Sequence, residues 1–295
     1  MKKLLPLLIL TLFLGGCEDK LEPKDCDGIS GGTAFIDQCG ECVGGTTNKS
    51  SCVEDCNGDW GGTAYVNACE YCVGGKTDLS EMFCDDAVDI DGNVYKTVAI
   101  GSQVWFAENL MVTKYKDGTP IPTGLSNSEW TSTESGDAYA IFEGWQNSVP
   151  DTFGYLYNWE AVHNSKGIAP EGWRVSNDED WIILYNFLEE KGFAGKKGTA
   201  LKATHTWCCT ADGGTGTNGF GTDNFEFSAL PGGCRNKPYT RTGAFDGIYE
   251  EAFFWRTRDE NEASAVQLTY KTGETSGHTV GKDSQDGLSI RCVKE

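Results

Sequence analysis

The sequence predicts an α+β protein: a large, loop-rich domain with one main helix, preceded by two small disulfide-stapled repeats. Three observations carry this expectation. Eight of the 13 cysteines fall between residues 26 and 84, in two copies of nearly one spacing. One stretch, residues 176–192, combines helical apolar spacing with end signals. Short alternating segments dominate the remainder. Composition agrees: 39% hydrophobic and 12% aromatic residues exclude disorder, and 38 irregularly spaced glycines exclude collagen. At about 150 residues per domain, 295 residues suggest about two domains. With 44 acidic residues against 24 basic ones the net charge is −20, so a phosphate backbone would be repelled and no nucleic-acid partner is expected.

The N-terminus reads as an address. Met1-Lys2-Lys3 is a basic start, and residues 4–14 form an apolar run of 11 residues. That run is too short for about 30 Å of hydrocarbon, so residues 1–16 read as a signal peptide. Leu14-Gly15-Gly16-Cys17 resembles the lipobox of bacterial lipoproteins. The resemblance implies lipidation of Cys17, which then heads a short tether, residues 17–24, and makes the membrane a partner through the acyl chains. The competing reading is an ordinary secretory signal with an incidental cysteine. Glu18-Asp19-Lys20 is similar to the surface-export signals of Bacteroidetes-type lipoproteins. The expected location is therefore the bacterial outer membrane, facing outward, with a periplasm-facing anchor as the alternative. Loss of Lys2 and Lys3 with the leader takes the charge from −20 to −22.

Two repeats follow, at 25–54 and 55–85. Asp25-Cys26-Asp27-Gly28 aligns with Asp55-Cys56-Asn57-Gly58 at a period of 30 residues. Cys39-Gly40-Glu41-Cys42 aligns likewise with Cys69-Glu70-Tyr71-Cys72, and Cys52 and Cys84 complete four cysteines per unit. A unit of about 30 residues cannot bury enough apolar surface to fold unaided, so cross-links are required. Zinc competes for C-x2-C pairs, but each unit lacks a second such pair, and an exported chain meets an oxidising compartment. Disulfides are expected, with three connectivities open per unit. Asp25, Asp27, Asp55 and Asp59 offer weak calcium binding, as in thrombospondin type 3 repeats. The regular D-x-D-x-D-G ladder is missing, so these acids read as turn residues and no cofactor is expected.

From residue 86 onward, strands dominate. Residues 94–100 and 103–106 flank Gly101-Ser102, which reads as a hairpin turn. Residues 264–270 and 288–292 alternate, the latter as an inner strand at the end of the domain. Ser176 and Glu179 form a capping box, Trp181, Leu184, Tyr185 and Leu188 give the apolar face, and Lys191-Gly192 ends the helix.

Five ordered blocks then carry a family resemblance. They are residues 89–110, Gly154-Tyr155-Leu156-Tyr157-Asn158-Trp159, residues 169–175, residues 227–235, and Gly287-Leu288-Ser289-Ile290-Arg291-Cys292-Val293-Lys294. Residues 86–295 resemble the Fibrobacter succinogenes major paralogous domain. That family is similar to the C-type-lectin-like and formylglycine-generating-enzyme folds, which implies a compact body with long loops and neighbouring termini. Its members are mainly secreted or lipid-anchored proteins without an established activity. The chain departs from the pattern at Trp255-Arg256-Thr257, at Cys234, and in the inserted pair Cys208-Cys209. Together with Cys292, those cysteines suggest two further disulfides, with Cys208 and Cys209 each reaching a separate partner.

No residue set makes a convincing active site. The lectin triplets Glu-Pro-Asn, Gln-Pro-Asp and Trp-Asn-Asp are missing, as is Gly-x-Ser-x-Gly, and His163, His205 and His278 lack metal-binding spacing. Binding remains. Trp130, Trp145 and Trp207 lie in polar, glycine- and serine-rich segments and are the candidate stacking faces for a sugar. The expected function is a cell-surface lipoprotein whose non-catalytic domain binds a polysaccharide or a surface protein. A carbohydrate-active enzyme and a purely structural envelope spacer are the alternatives.

Overall fold

The computed structural model describes residues 22–132, 136–142, 153–207, 221–236, 242–259, 262–280 and 285–295. The chain divides into two compact units, Met1–Thr63 and Ala64–Glu295. The division falls inside the second repeat, so residues 64–84 belong to the same unit as the large domain.

One local device builds the repeats. Asp25, Asp37, Asp55, Asn67 and Asp89 each open a five-residue turn whose side-chain oxygen accepts the N–H of residues i+2 and i+4, at 2.9–3.2 Å. Residue i+3 donates back to the carbonyl of residue i and sits at positive φ. Glycine fills that position at Gly28, Gly40, Gly58 and Gly92, because a Cβ there costs about 1 kcal/mol. Glu70 is the exception, at φ 66°. The second carboxylate oxygen reaches further: Asp25 accepts from Ala34 N at 2.9 Å and Asp37 from Cys52 N at 2.8 Å. Those amides hold both carboxyls below the usual range, Ala34 foremost for Asp25 and Cys52 for Asp37.

In the first repeat β1 (Phe35–Ile36) pairs with β2 (Cys42–Val43), and in the second β3 (Tyr65–Val66) pairs with β4 (Cys72–Val73). Disulfides join Cys26 to Cys42, Cys39 to Cys52, and Cys69 to Cys84. Cys56 and Cys72 are disulfide-bonded as well. The connectivity left open by sequence is thus first-to-third and second-to-fourth in the first repeat. Oxidised sulfur also removes the zinc alternative.

The large domain opens with β5 (Ala87–Val88) and β6 (Val94–Tyr95), a hairpin closed by the Asp89 turn. Next come β7 (Thr97–Ile100) and β8 (Gln103–Phe106), joined by the expected two-residue turn with Gly101 at φ 62°. Four short elements follow: helix α1 (Asn127–Trp130), strands β9 (Tyr139–Ala140) and β10 (Leu156–Tyr157), and helix α2 (Trp159–Val162). Strand β11 (Trp173–Val175) leads into the main helix α3 (Asp178–Glu190), and α4 (Lys197–Leu201) comes after it. The rest is β12 (Gly232–Arg235), β13 (Phe245–Ile248), β14 (Glu251–Asp259), β15 (Glu262–Thr269), β16 (Thr275–Val280) and β17 (Cys292–Lys294).

Two sheets organise this domain. One has the order β11-β17-β8-β7, so the last strand lies beside one of the first; the other runs β13-β12-β14-β15-β16. Neighbouring side chains on a strand point to opposite faces. Accordingly Trp105 and Phe106 on β8 enter different hydrophobic clusters, as do Phe254 and Trp255 on β14. Helix α3 buries Trp181, Leu184 and Leu188 as its spacing requires. Its capping box is shifted by one residue: Asn177 is the N-cap and Asp180 the reciprocal acceptor, while Ser176 Oγ accepts from the Trp181 indole at 3.1 Å. The terminal strand is shorter than its alternation suggested, beginning at Cys292.

A buried charge ties the ends of the domain together. Arg291 is fully enclosed and donates to Asn109 Oδ1 (2.7 Å) and to the carbonyls of Phe106 (2.9 Å), Phe227 (2.5 Å) and Ser228 (3.1 Å). The rings of Phe227 and Phe254 lie 4.6 and 5.3 Å from the guanidinium carbon. Desolvation pulls this group down to about 9. Among the described residues, no helix is long and apolar enough to cross a membrane.

Candidate functional site

A cleft of about 390 Å³ lies within the larger unit, between residues of the second repeat and the large domain. The repeat supplies Tyr65, Asn67 and Glu81. Helix α3 supplies Phe187, its C-cap supplies Lys191, and the segment before β12 supplies Phe225. Phe187 reaches the cleft because the β7–β8 turn carries no side chain at Gly101, where a Cβ would stand 2.9 Å from its ring. Phe225 meets Phe187 edge-on at 5.5 Å and Phe193 at 5.4 Å. The Lys191 ammonium stands 5.4 Å from the Phe187 ring centre.

The repeat wall is held as firmly. Asn67 donates to Phe83 O at 2.7 Å while its oxygen closes the turn described above. Tyr65 is 46% exposed, and its hydroxyl faces Glu81 at 3.4 Å. Partial burial, then the Glu81 charge, push the phenol above its ordinary range. The lining therefore offers aromatic faces, amide groups, and one cation with one anion among the described residues.

Strongly displaced titratable groups lie elsewhere, and enclosure accounts for them. Lys202 donates to the carbonyls of Thr269 and Thr272, both at 3.1 Å, and burial pulls it down to about 8. Burial pushes Tyr185 up to about 12, and pushes the Cys292 thiol well up. Two smaller clefts, of about 280 and 270 Å³, border Lys114 and Arg174. Both cations are already committed, Lys114 to Asp91 at 2.6 Å and Arg174 to Asp180 through two bonds.

Comparison with known proteins places this body. The Fibrobacter succinogenes major domain matches residues 98–294, two thirds of the chain. The chain belongs to the Fibrobacter succinogenes major domain family. No curated protein and no solved structure matched it. The family domain supplies the Phe187, Lys191 and Phe225 side of the cleft, whereas Tyr65, Asn67 and Glu81 precede the matched region.

Several expected site residues take other roles in this member of the family. Trp130 and Trp207 are enclosed, which corrects the expectation of exposed stacking faces. The Trp130 indole donates to Gln285 O, and the Arg235 guanidinium lies 4.3 Å over its ring. The Trp207 indole donates to Ala229 O at 2.8 Å, with the Lys202 ammonium 5.1 Å away. Polar sequence neighbours misled here: the groups that cover Trp130 (Arg235 and Gln285) come from far along the chain. Trp145, Cys17, Cys208 and Cys209 lie outside the described residues. Cys292 carries a thiol sealed in the core where a disulfide was expected, so it is not joined to Cys234, which is buried on β12. Apolar packing stands there in place of a staple. His163 stacks on Trp159 at 5.2 Å.

Sequence reasoning passed over the cleft residues, although one signal was present. Ile183 and Phe187 on α3 and Lys191 at its C-cap recur every four residues, beside the buried positions 181, 184 and 188. Ile183 remains 37% exposed, so this second stripe exceeds what the core uses.

Proposed function

We propose that this chain is a lipid-anchored cell-surface protein whose lectin-like domain holds a neutral polysaccharide in the cleft. The observation that carries the reading is the lining itself: three partly exposed aromatic rings beside amide groups, with a single lysine balanced by a single glutamate among the described residues. Ring faces stack on sugar C–H groups, and the Asn224 amide and the two charges supply directional hydrogen bonds. A polyanion would meet a chain of net charge −20. Hydrolysis of a glycosidic bond uses two carboxylates about 5–10 Å apart. Glu81 is the one carboxylate lining the cleft among the described residues, which favours holding a sugar chain over cutting it.

Export is supported by the oxidised repeats, since such cross-links persist outside a reducing cytoplasm. The lectin-like arrangement is supported by β17 pairing with β8, which brings both ends of the domain together. A surface protein as partner is the second reading, favoured by Val88, Ile90 and Val94, which are about half exposed on the β5–β6 hairpin.

Cys17→Ser is expected to move the protein from the membrane fraction to the soluble fraction, and continued sedimentation with membranes would contradict the anchor. The same soluble chain can be titrated with cellohexaose, xylohexaose and polygalacturonate. The two neutral hexasaccharides are the expected ligand class. Phe187→Ala or Tyr65→Ala should each weaken binding about tenfold, and polygalacturonate should not bind. Neutral-glycan affinity indifferent to both substitutions, or no saturable binding, would overturn the proposal.

A further inference from the structure

We infer that Arg291 is a positioning residue for the cleft: its guanidinium holds residues 223–228 in the backbone form that presents Asn224 and Phe225 to a ligand. The inference rests on the cleft being the binding site. Within these six residues Asp223, Glu226 and Ser228 all adopt positive φ, at 44°, 53° and 49°. None is glycine, and such backbone costs about 1 kcal/mol per residue, so an unheld loop would relax.

Two latches oppose that relaxation. On the outer side the Asp223 carboxylate accepts from Ser228 N at 2.7 Å and from Ser228 Oγ at 2.6 Å. On the inner side Arg291 donates to the carbonyls of Phe227 and Ser228. The Phe227 ring is buried against the guanidinium and lies 5.6 Å from Trp105 and 5.8 Å from Trp181. Two residues earlier, Phe225 meets Phe187 and Phe193 at the cleft. Asn224 N donates to Ala200 O at 3.0 Å, which registers the loop against α4.

A planar fork with five donors can serve several acceptors at once, which a lysine ammonium on a longer, rotating stem cannot do in the same directions. Arg291 therefore links the core to the shape of the cleft wall without touching the ligand.

The test uses the full mature chain carrying Cys17→Ser, with amide hydrogen exchange at 25 °C and no ligand. Arg291→Lys should speed exchange at Asn224, Glu226 and Ser228 at least tenfold relative to the amides of α3. Asp223→Ala, which releases the outer latch and leaves the buried charge in place, should open the same three amides. Titration of the same variants with cellohexaose should show affinity falling with the loop opening rather than with the melting temperature. Exchange that rises equally in the loop and in α3 in both variants would reduce Arg291 to a stability role and overturn the inference. Unchanged loop exchange would overturn it also. Failure of the unsubstituted chain to bind any neutral glycan would instead sink the proposed function, leaving the exchange result standing.

Discussion

Arg291→Met should lower the stability of the large domain by about 3 kcal/mol, read as a fall in melting temperature of about 6–12 °C. The substitution keeps most of the volume and removes the charge. Relief of burying a guanidinium works in its favour, and replacing buried charges by apolar groups is sometimes neutral. Here the partners decide otherwise. Asn109 Oδ1 and the carbonyls of Phe106, Phe227 and Ser228 all lose their Arg291 bonds in an enclosed site, and each orphaned acceptor costs about 1–3 kcal/mol. Near-ultraviolet circular dichroism follows the transition through the tryptophans packed around Phe227. A shift below 2 °C would mean that the four bonds contribute little.

Reduction should separate the two units. In the described part of the first unit, the buried apolar residues are Ala34 and Val43 alone. Its bridges span 16 and 13 residues, and a loop of about 15 residues closed by a disulfide is worth about 3 kcal/mol. Dithiothreitol should therefore unfold it, exposing Cys26, Cys39, Cys42 and Cys52 to iodoacetamide. The large domain rests on two aromatic clusters and should keep its near-ultraviolet spectrum. Cys292 should remain unlabelled until denaturant is added, because burial both hides its thiol and opposes the thiolate. Labelling of Cys292 under native reducing conditions would contradict its placement. Amide protection surviving full reduction in residues 22–63 would contradict the role given to the bridges.

What the chain discloses before folding, and what it withholds, follows from locality. The β7–β8 hairpin and the apolar face of α3 were legible because a turn glycine and a 3.6-residue period are local properties. The start of α3 was legible only to within one residue. Ser176-x-x-Glu179 and Asn177-x-x-Asp180 are overlapping capping patterns, and the Trp181 indole selects between them by engaging Ser176. The five Asx turns were present in sequence as Asp or Asn followed three residues later by glycine, with Glu70 breaking the pattern. Disulfide pairing was not legible, since spacing alone leaves three choices. Nor was the cleft: Tyr65 aligns with Phe35 of the first repeat, but its approach to Phe187 and Phe225 joins segments more than 100 residues apart. The buried state of Trp130, under Arg235 and Gln285, was hidden for the same reason.

Side-chain nuclear magnetic resonance of the soluble mature chain during a cellohexaose titration addresses the cleft most directly. The aromatic signals of Tyr65, Phe187 and Phe225 should shift together and saturate with one dissociation constant, while those of the enclosed Trp130 and Trp207 stay in place. Saturation centred instead on Val88, Ile90 and Val94, or no shift at the three rings across a panel of neutral glycans, would contradict the sugar-binding role of the cleft.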